Sequence, residues 1–319
     1  MKRQLHAKKK FDYIHCGDCL EWMKTLATES VQCCITSPPY WGLRNYGVDG
    51  QLGLEETPEE YVSKLVEVFR EVRRVLRKDG TLWLNLGDTY AGGGRGCKSQ
   101  KQVSNRGTHN MPKSIIPPGC KPKNLVGIPW RVALALQADG YWLRSDIIWH
   151  KPNPMPESVT DRPTRSHEYL FLLSKSAKYY YDVDAIREKQ KASSLKAYKY
   201  VCKYKNKKRD WPGGIQNNIE KYQGKTREEI AKLPGRNKRS VWTVAHLPYK
   251  IAHFATFPEK LIEPCVLAGC PDGGVIMDPF MGSGTVGLVC YKRWRRYIGC
   301  DLKREYVDMA LARIRKGER

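Results

Sequence analysis

Val275-Ile-Met-Asp-Pro-Phe-Met-Gly-Ser-Gly-Thr285 is the stretch that decides the fold. A short apolar run ends at Asp278, a glycine-rich turn follows, and a helix is expected from Thr285. A second apolar run, Arg296 to Cys300, then closes on Asp301, and a further helix is expected from Glu305 to Ile314. Strand, turn, helix and strand in that order make a βαβ unit of a parallel sheet. Gly282 and Gly284 permit a tight turn and a close approach of backbone, while the amino terminus of the helix offers free N–H groups to a carboxylate. Asp301 stands at a strand end, where an acid accepts from ribose hydroxyls in nucleoside-binding α/β folds. The G-K-S/T ending of a phosphate loop is missing. A ligand with a carboxylate and a ribose but no phosphates, such as S-adenosyl-L-methionine, suits these residues better than a dinucleotide.

The same alternation extends outward along the chain. Tyr13 to Cys16 reads as a strand ending at Gly17-Asp18, and Leu20 to Leu26 as a short helix. Val31 to Thr36 reads as a buried strand stopped by Ser37-Pro38-Pro39, because neither proline can donate to a ladder. Pro58 to Leu76 carries Tyr61, Leu65, Val68, Val72, Val75 and Leu76 on one helical face. Asp79-Gly80 turns that helix into a strand, Thr81 to Leu86. A helix Trp130 to Ala138 and strands Trp142 to Trp149 and Tyr169 to Leu173 complete this half.

With 319 residues the chain can bury one α/β core and carry an additional lobe. Its formal charge of +23, from 56 Lys and Arg against 33 Asp and Glu, implies a polyanionic partner, nucleic acid before membrane. No stretch approaches the roughly 20 apolar residues of a spanning helix, and Met1 to Lys10 meets Phe11 without the apolar core of a signal peptide. The expectation is a cytoplasmic protein with no membrane partner. Eleven cysteines without a secretory signal read as reduced thiols, and the Cys16/Cys19 spacing lacks a second pair for zinc, so no metal site is expected.

Two segments interrupt the pattern. Residues 91–125 hold seven Lys and Arg, no acid, and many small or loop-forming residues. Residues 187–239 hold 17 basic and 5 acidic residues, interleaved with Tyr198, Tyr200, Tyr204, Trp211 and Tyr222. Such a mixture can grip phosphates and stack on bases, or can be a solvated insertion.

Thr36-Ser-Pro-Pro-Tyr-Trp41 sits at the carboxyl end of a buried strand, where open α/β sheets bind ligands. Consecutive prolines fix the backbone and leave carbonyls free to accept. If Ser37 Oγ and the Pro38 carbonyl accept both hydrogens of a base amino group, its nitrogen is held and its lone pair becomes available. Tyr40 would stack on the base. The bland reading is a proline-terminated strand with an ordinary turn.

Ser37-Pro38-Pro39-Tyr40 followed far downstream by Asp278 to Thr285 resembles the β-class S-adenosylmethionine-dependent DNA amino-methyltransferases, in which the catalytic half precedes the cofactor half. Gly17-Asp-Cys-Leu20, Asp79-Gly-Thr-Leu82, Arg162 to Leu170 and His253-Phe-Ala-Thr-Phe-Pro258 are similar to the same family. The resemblance implies a Rossmann-like methyltransferase fold with a mostly parallel seven-stranded sheet, helices on both faces and a circularly permuted motif order. It implies that residues 1–186 form the catalytic half, with the basic loop 91–125. Residues 187–245 would be a target-recognition insertion and 246–319 the cofactor half.

By the same resemblance Ser37, Pro38, Pro39 and Tyr40 are catalytic. Asp18 would approach the cofactor adenine or its base-side neighbours, Phe254 and Phe257 would line the methionine end, and Phe280 would pack on the cofactor. Asp278 would hold the methionine side, with Gly282, Ser283, Gly284 and Thr285 forming the turn and Asp301 taking the ribose. Lys196, Lys199, Lys203, Lys205, Lys207, Lys208 and Arg209 would contact double-stranded DNA. A cognate restriction endonuclease as partner, a phage origin and a solitary role are all open.

In this family Asp at the head of the tetrapeptide goes mostly with adenine N6 and Ser with cytosine N4. Ser37 therefore points to cytosine N4, with adenine N6 as the alternative. A C5-cytosine reaction needs a cysteine nucleophile after proline, and Pro264-Cys265 lies in a helix-like run. Methylation of RNA or of a protein amide, and a DNA-binding module without catalysis, are the competing functions.

Overall fold

Eight strands form one sheet among the residues that the computed structural model describes, namely 12–43, 45–92, 116, 118–189, 235–245 and 257–317. They are β1 (Tyr13–Cys16), β2 (Val31–Thr36), β3 (Leu76–Leu86), β4 (Trp142–His150), β5 (His167–Ser174), β6 (Val241–Thr243), β7 (Val275–Asp278) and β8 (Arg296–Asp301). The helices are α1 (Cys19–Lys24), α2 (Pro58–Val75), α3 (Ile128–Ala138), α4 (Glu259–Gly269), α5 (Thr285–Lys292) and α6 (Arg304–Gly317). The order across the sheet is β1-β8-β7-β2-β3-β5-β4-β6. Every neighbouring pair is parallel except the two made by β5, so β5 alone runs the other way.

That is one strand more than the seven expected. The addition is β6, three residues that pair with β4 at the far edge (Trp149↔Trp242). It is too short to carry a periodic signal, which is why the sequence pattern does not reveal it.

Alternation along the strands splits the core into two layers. Cys34, Leu82, Leu84, Phe171 and Met277 face α1, α2 and α3. Cys33 and Trp83 face α4, where Gly269 lies so close that a Cβ there would stand 2.7 Å from Trp83 Nε1 and 2.9 Å from Cys33 Sγ. Helices thus cover both faces, and strands buried on both faces read as continuous apolar runs. α2 shows how local chemistry sets an element. Thr57 caps it by accepting from Glu60 N at 3.2 Å, Pro58 occupies the first turn, and Tyr61, Leu65, Val68, Phe69, Val72 and Val75 are buried. Each fully buried large apolar side chain is worth about 1.5–3 kcal/mol.

α3 has no capping side chain of its own. Asp88, just past β3, supplies it by accepting from Gly127 N at 2.9 Å and Ile128 N at 3.0 Å. The chain divides into two compact units, 1–182 with 240–319, and 183–239. Within the second unit, Glu188 and Arg236 exchange backbone hydrogen bonds of 2.9 and 2.8 Å, an antiparallel bridge at the unit's two ends. β6 belongs to the first unit, so the chain has re-entered the sheet before residue 245. The described cysteines are all free. No helix among the described residues is long and apolar enough to cross a membrane.

Candidate active site

Parallel strands share one carboxyl edge, and the turns leaving β1, β2, β7 and β8 meet there around a cavity of about 570 Å³. Ser37, Pro38, Pro39 and Tyr40 line one side of it; Phe280, Gly282, Ser283, Thr285 and Asp301 line the other. Asp18 and Phe257 contribute as well. Two stretches about 240 residues apart therefore open into one space, held together beneath it by Thr36 Oγ1 donating to Asp278 Oδ1 at 2.6 Å.

Asp278 itself lies under the turn and is fully buried. Its Oδ1 also accepts from Phe280 N at 3.0 Å, while Oδ2 is buried with no hydrogen-bond partner. Burial raises its pKa to about 7 against the lowering pull of these two donors. The turn above is backbone work. Gly282 (φ 49°) and Gly284 (φ 76°) take left-handed conformations. A Cβ at Gly284 would stand 2.7 Å from Ala310 Cβ of α6. Gly282 N donates to Asp301 Oδ2 at 2.8 Å, and Lys303 N donates to Asp301 Oδ1 at 3.0 Å. Burial raises the pKa of Asp301, and these backbone donors counter it. Arg313 of α6 grips the turn from behind, donating to Ser283 Oγ at 3.0 Å and Thr285 Oγ1 at 2.9 Å. Asp18 caps α1 through Glu21 N at 3.0 Å.

The other side is built from side chains. Tyr40 Oη donates to Glu168 Oε2 at 2.7 Å, with Asn85 Oδ1 also 3.0 Å away. Ser37 Oγ is 3.4 Å from both Tyr40 Oη and Asn85 Oδ1. Tyr61 of α2 donates to the Pro39 carbonyl at 2.7 Å, fixing the tetrapeptide from beneath. Gly87 lies against the Tyr40 ring, where a Cβ would come within 2.5 Å. Burial, reinforced by the charge of Glu168, pushes the Tyr40 phenol well above its usual range, so it keeps its proton.

Phe254 and the basic residues Lys196, Lys199, Lys203, Lys205, Lys207, Lys208 and Arg209 lie outside the described residues. Asn85, Glu168 and Arg313 are site residues that the sequence reading missed. A lone Asn inside the apolar strand Thr81-Leu-Trp-Leu-Asn-Leu86 is a signal that was present. Glu168 gave none beyond its place in Arg162 to Leu170, because only the reversal of β5 brings its first residues to this edge.

The family described as DNA methylase, of the N6/N4 type, matches residues 31–312. The chain is 47% identical to the type II methyltransferase M.Cfr9I of Citrobacter freundii over 299 residues, covering 93% of this chain and 86% of that one. It is 46% identical to M.SmaI of Serratia marcescens over 298 residues, covering 93% and 89%. Among solved structures, the cytosine-N4-specific PvuII DNA methyltransferase superposes with a TM-score of 0.60 at 18% identity, covering 98% of this chain and 94% of that one. TTHA0409 of Thermus thermophilus, solved with S-adenosyl-L-methionine, gives 0.57 at 21% identity, covering 96% and 93%. These two likenesses are of fold.

Proposed function

The chain belongs to the N6/N4 DNA methylase family, and from that premise we propose that it methylates N4 of a cytosine swung out of double-stranded DNA, at a specific site, using S-adenosyl-L-methionine. One observation supports cytosine over adenine: the head of the tetrapeptide is Ser37, a neutral hydroxyl, within reach of Tyr40 and Asn85.

The cavity suits the cofactor. Asp301 spends one lone pair of each oxygen on a backbone N–H and keeps the others, as a ribose diol requires. Phe280 offers a ring beside it. When bound, S-adenosyl-L-methionine supplies a methyl group on a sulfonium, a good leaving group. Flipping the nucleotide costs about a few kcal/mol, which phosphate contacts offset. Ser37 Oγ and the Pro38 carbonyl accept the two amino hydrogens and hold the nitrogen. Tyr61, by engaging the Pro39 carbonyl, and Gly87, by admitting the Tyr40 ring, keep these acceptors in place. Proximity and orientation are then the main source of rate. The displaced proton leaves to solvent.

Residues 187–245, apart from β6, which belongs to the sheet, carry the basic excess and are assigned to target recognition, between a catalytic half (1–186) and a cofactor half (246–319). The test is mass spectrometry of nucleosides from DNA incubated with the protein and cofactor. N4-methylcytosine is expected. N6-methyladenine overturns the choice of base, and no methylated amine overturns the function.

A further inference from the structure

Because β5 alone is reversed, its first residues reach the cavity wall beside Ser37 and Tyr40, and one of them is Glu168. Three donors converge on this carboxylate. Lys151 Nζ donates to Oε1, while Tyr40 Oη at 2.7 Å and Asn85 Nδ2 at 3.3 Å donate to Oε2. The ion pair is largely buried, with side-chain exposures of 20% for Lys151 and 16% for Glu168, so its members are not free to swing into water. Lys151 is further held 4.4 Å over the ring of Trp149.

Hydrogen directions in this network follow from what each atom can do. Asn85 Nδ2 is 3.0 Å from the Tyr169 carbonyl, an oxygen that can only accept. The amide is therefore oriented, and Asn85 Oδ1 faces Ser37 and Tyr40. The phenol hydrogen of Tyr40 is directed to Glu168, its nearest acceptor. Both polar neighbours of Ser37 Oγ thus show it lone pairs, and its own hydrogen turns inward to one of them. What remains toward the cavity is a pair of acceptors. An amino group brings hydrogens to that surface; a carbonyl oxygen at the same ring position brings only more lone pairs.

We infer that Glu168 is a positioning residue that sets this polarity: by drawing the hydrogens of Tyr40 and Asn85 to itself, it leaves Ser37 an acceptor toward the cavity and so selects an amine for methylation. The inference rests on the amino-methyl reading above and is indifferent to whether the amine belongs to cytosine or adenine.

Glu168→Gln keeps the shape and adds two hydrogens. Its amide must turn its NH2 either toward the Lys151 ammonium or toward Asn85 Nδ2, and donor meets donor either way; in the second case the Tyr40 hydrogen is also turned away, to Asn85 Oδ1. Transfer of tritiated methyl groups into unmodified bacterial DNA, at saturating DNA and cofactor, should show kcat reduced at least about tenfold. Calorimetry should show cofactor Kd within about twofold of wild type, because the cofactor-side turn shares none of these bonds. Adding Lys151→Met frees the glutamine to point its NH2 at the vacated side and to accept again, so the double variant should recover most of the lost kcat.

Three results overturn the inference: wild-type kcat in E168Q, cofactor affinity falling in step with kcat, or a double variant no faster than E168Q. Should E168Q not fold, the double variant carries the test alone. It then keeps kcat within about tenfold of wild type, and a larger loss overturns the inference. Failure of the amino-methyl reading shows separately, as wild-type protein that leaves no methylated base amine in DNA.

Discussion

The two walls of the cavity are made by different means. On the Asp278–Thr285 side, backbone N–H groups meet carboxylates, and two glycines hold conformations that side chains resist. On the Ser37–Tyr40 side, side chain meets side chain, and a charge pair anchors the array. A backbone cradle fixes shape, with N–H groups whose direction the chain itself sets. A side-chain network fixes the direction of hydrogens, which a surface that handles an amine needs. Damage to one wall should therefore be read mainly in affinity for the cofactor, and damage to the other mainly in rate.

The largest effect is expected at Tyr40. Tyr40→Ala should lower kcat on the order of 100-fold or more while calorimetry finds cofactor affinity nearly intact; equal loss of both would erase the distinction between the walls. Asp301→Ala should do the converse, weakening cofactor binding by roughly 1.5–3 kcal/mol, and unchanged affinity would remove Asp301 from the cradle.

Asp278 links the walls and gives a pH signature. Its pKa of about 7 lies above the ordinary 3.8, so the folded chain holds this proton more tightly than the unfolded one. Its contribution to stability is greatest below about pH 4 and is lost as pH rises toward 7. In urea unfolding across that window, Asp278→Asn should flatten the decline by on the order of 1 kcal/mol per pH unit; parallel curves for the two proteins would contradict the buried acid. The smallest effect belongs to neither wall. Replacing Lys196, Lys199 and Lys203 with Gln should reduce the salt dependence of DNA affinity by about 0.9 in log–log slope for each phosphate no longer neutralised, and an unchanged slope would place the DNA elsewhere.

Much of this arrangement was legible in the chain. β2 coincides with the expected run and β7 differs by a single residue, since a strand buried on both faces leaves a continuous apolar signal; β1, a partly exposed edge strand, coincides as well. The tetrapeptide and the glycine-rich turn were readable because prolines and glycines constrain backbone wherever they occur. Illegible were the partners brought in by topology. Nothing in His167-Glu-Tyr-Leu170 says that this strand runs backwards, and without that reversal Glu168 would sit at the opposite edge from Tyr40. Arg313 looks like any basic residue late in an amphipathic helix until α6 is packed against the turn. β6 and the end of β3 nearest α2 were blurred for a plainer reason: few residues, or exposed ones such as Arg77, Lys78 and Asp79, carry no pattern.

The bond from Thr36 to Asp278 spans 242 residues of sequence, and this has a consequence for how the molecule is made. At a ribosomal pace of roughly 10 residues per second, β2 waits on the order of half a minute for β7 to be synthesised. Through that interval one flank of an apolar strand stays without its ladder, an invitation to pairing with other nascent chains. With Ser37–Tyr40 placed before the Asp278–Thr285 turn in the chain, the sheet therefore stays incomplete at its centre until β7 and β8 have been made.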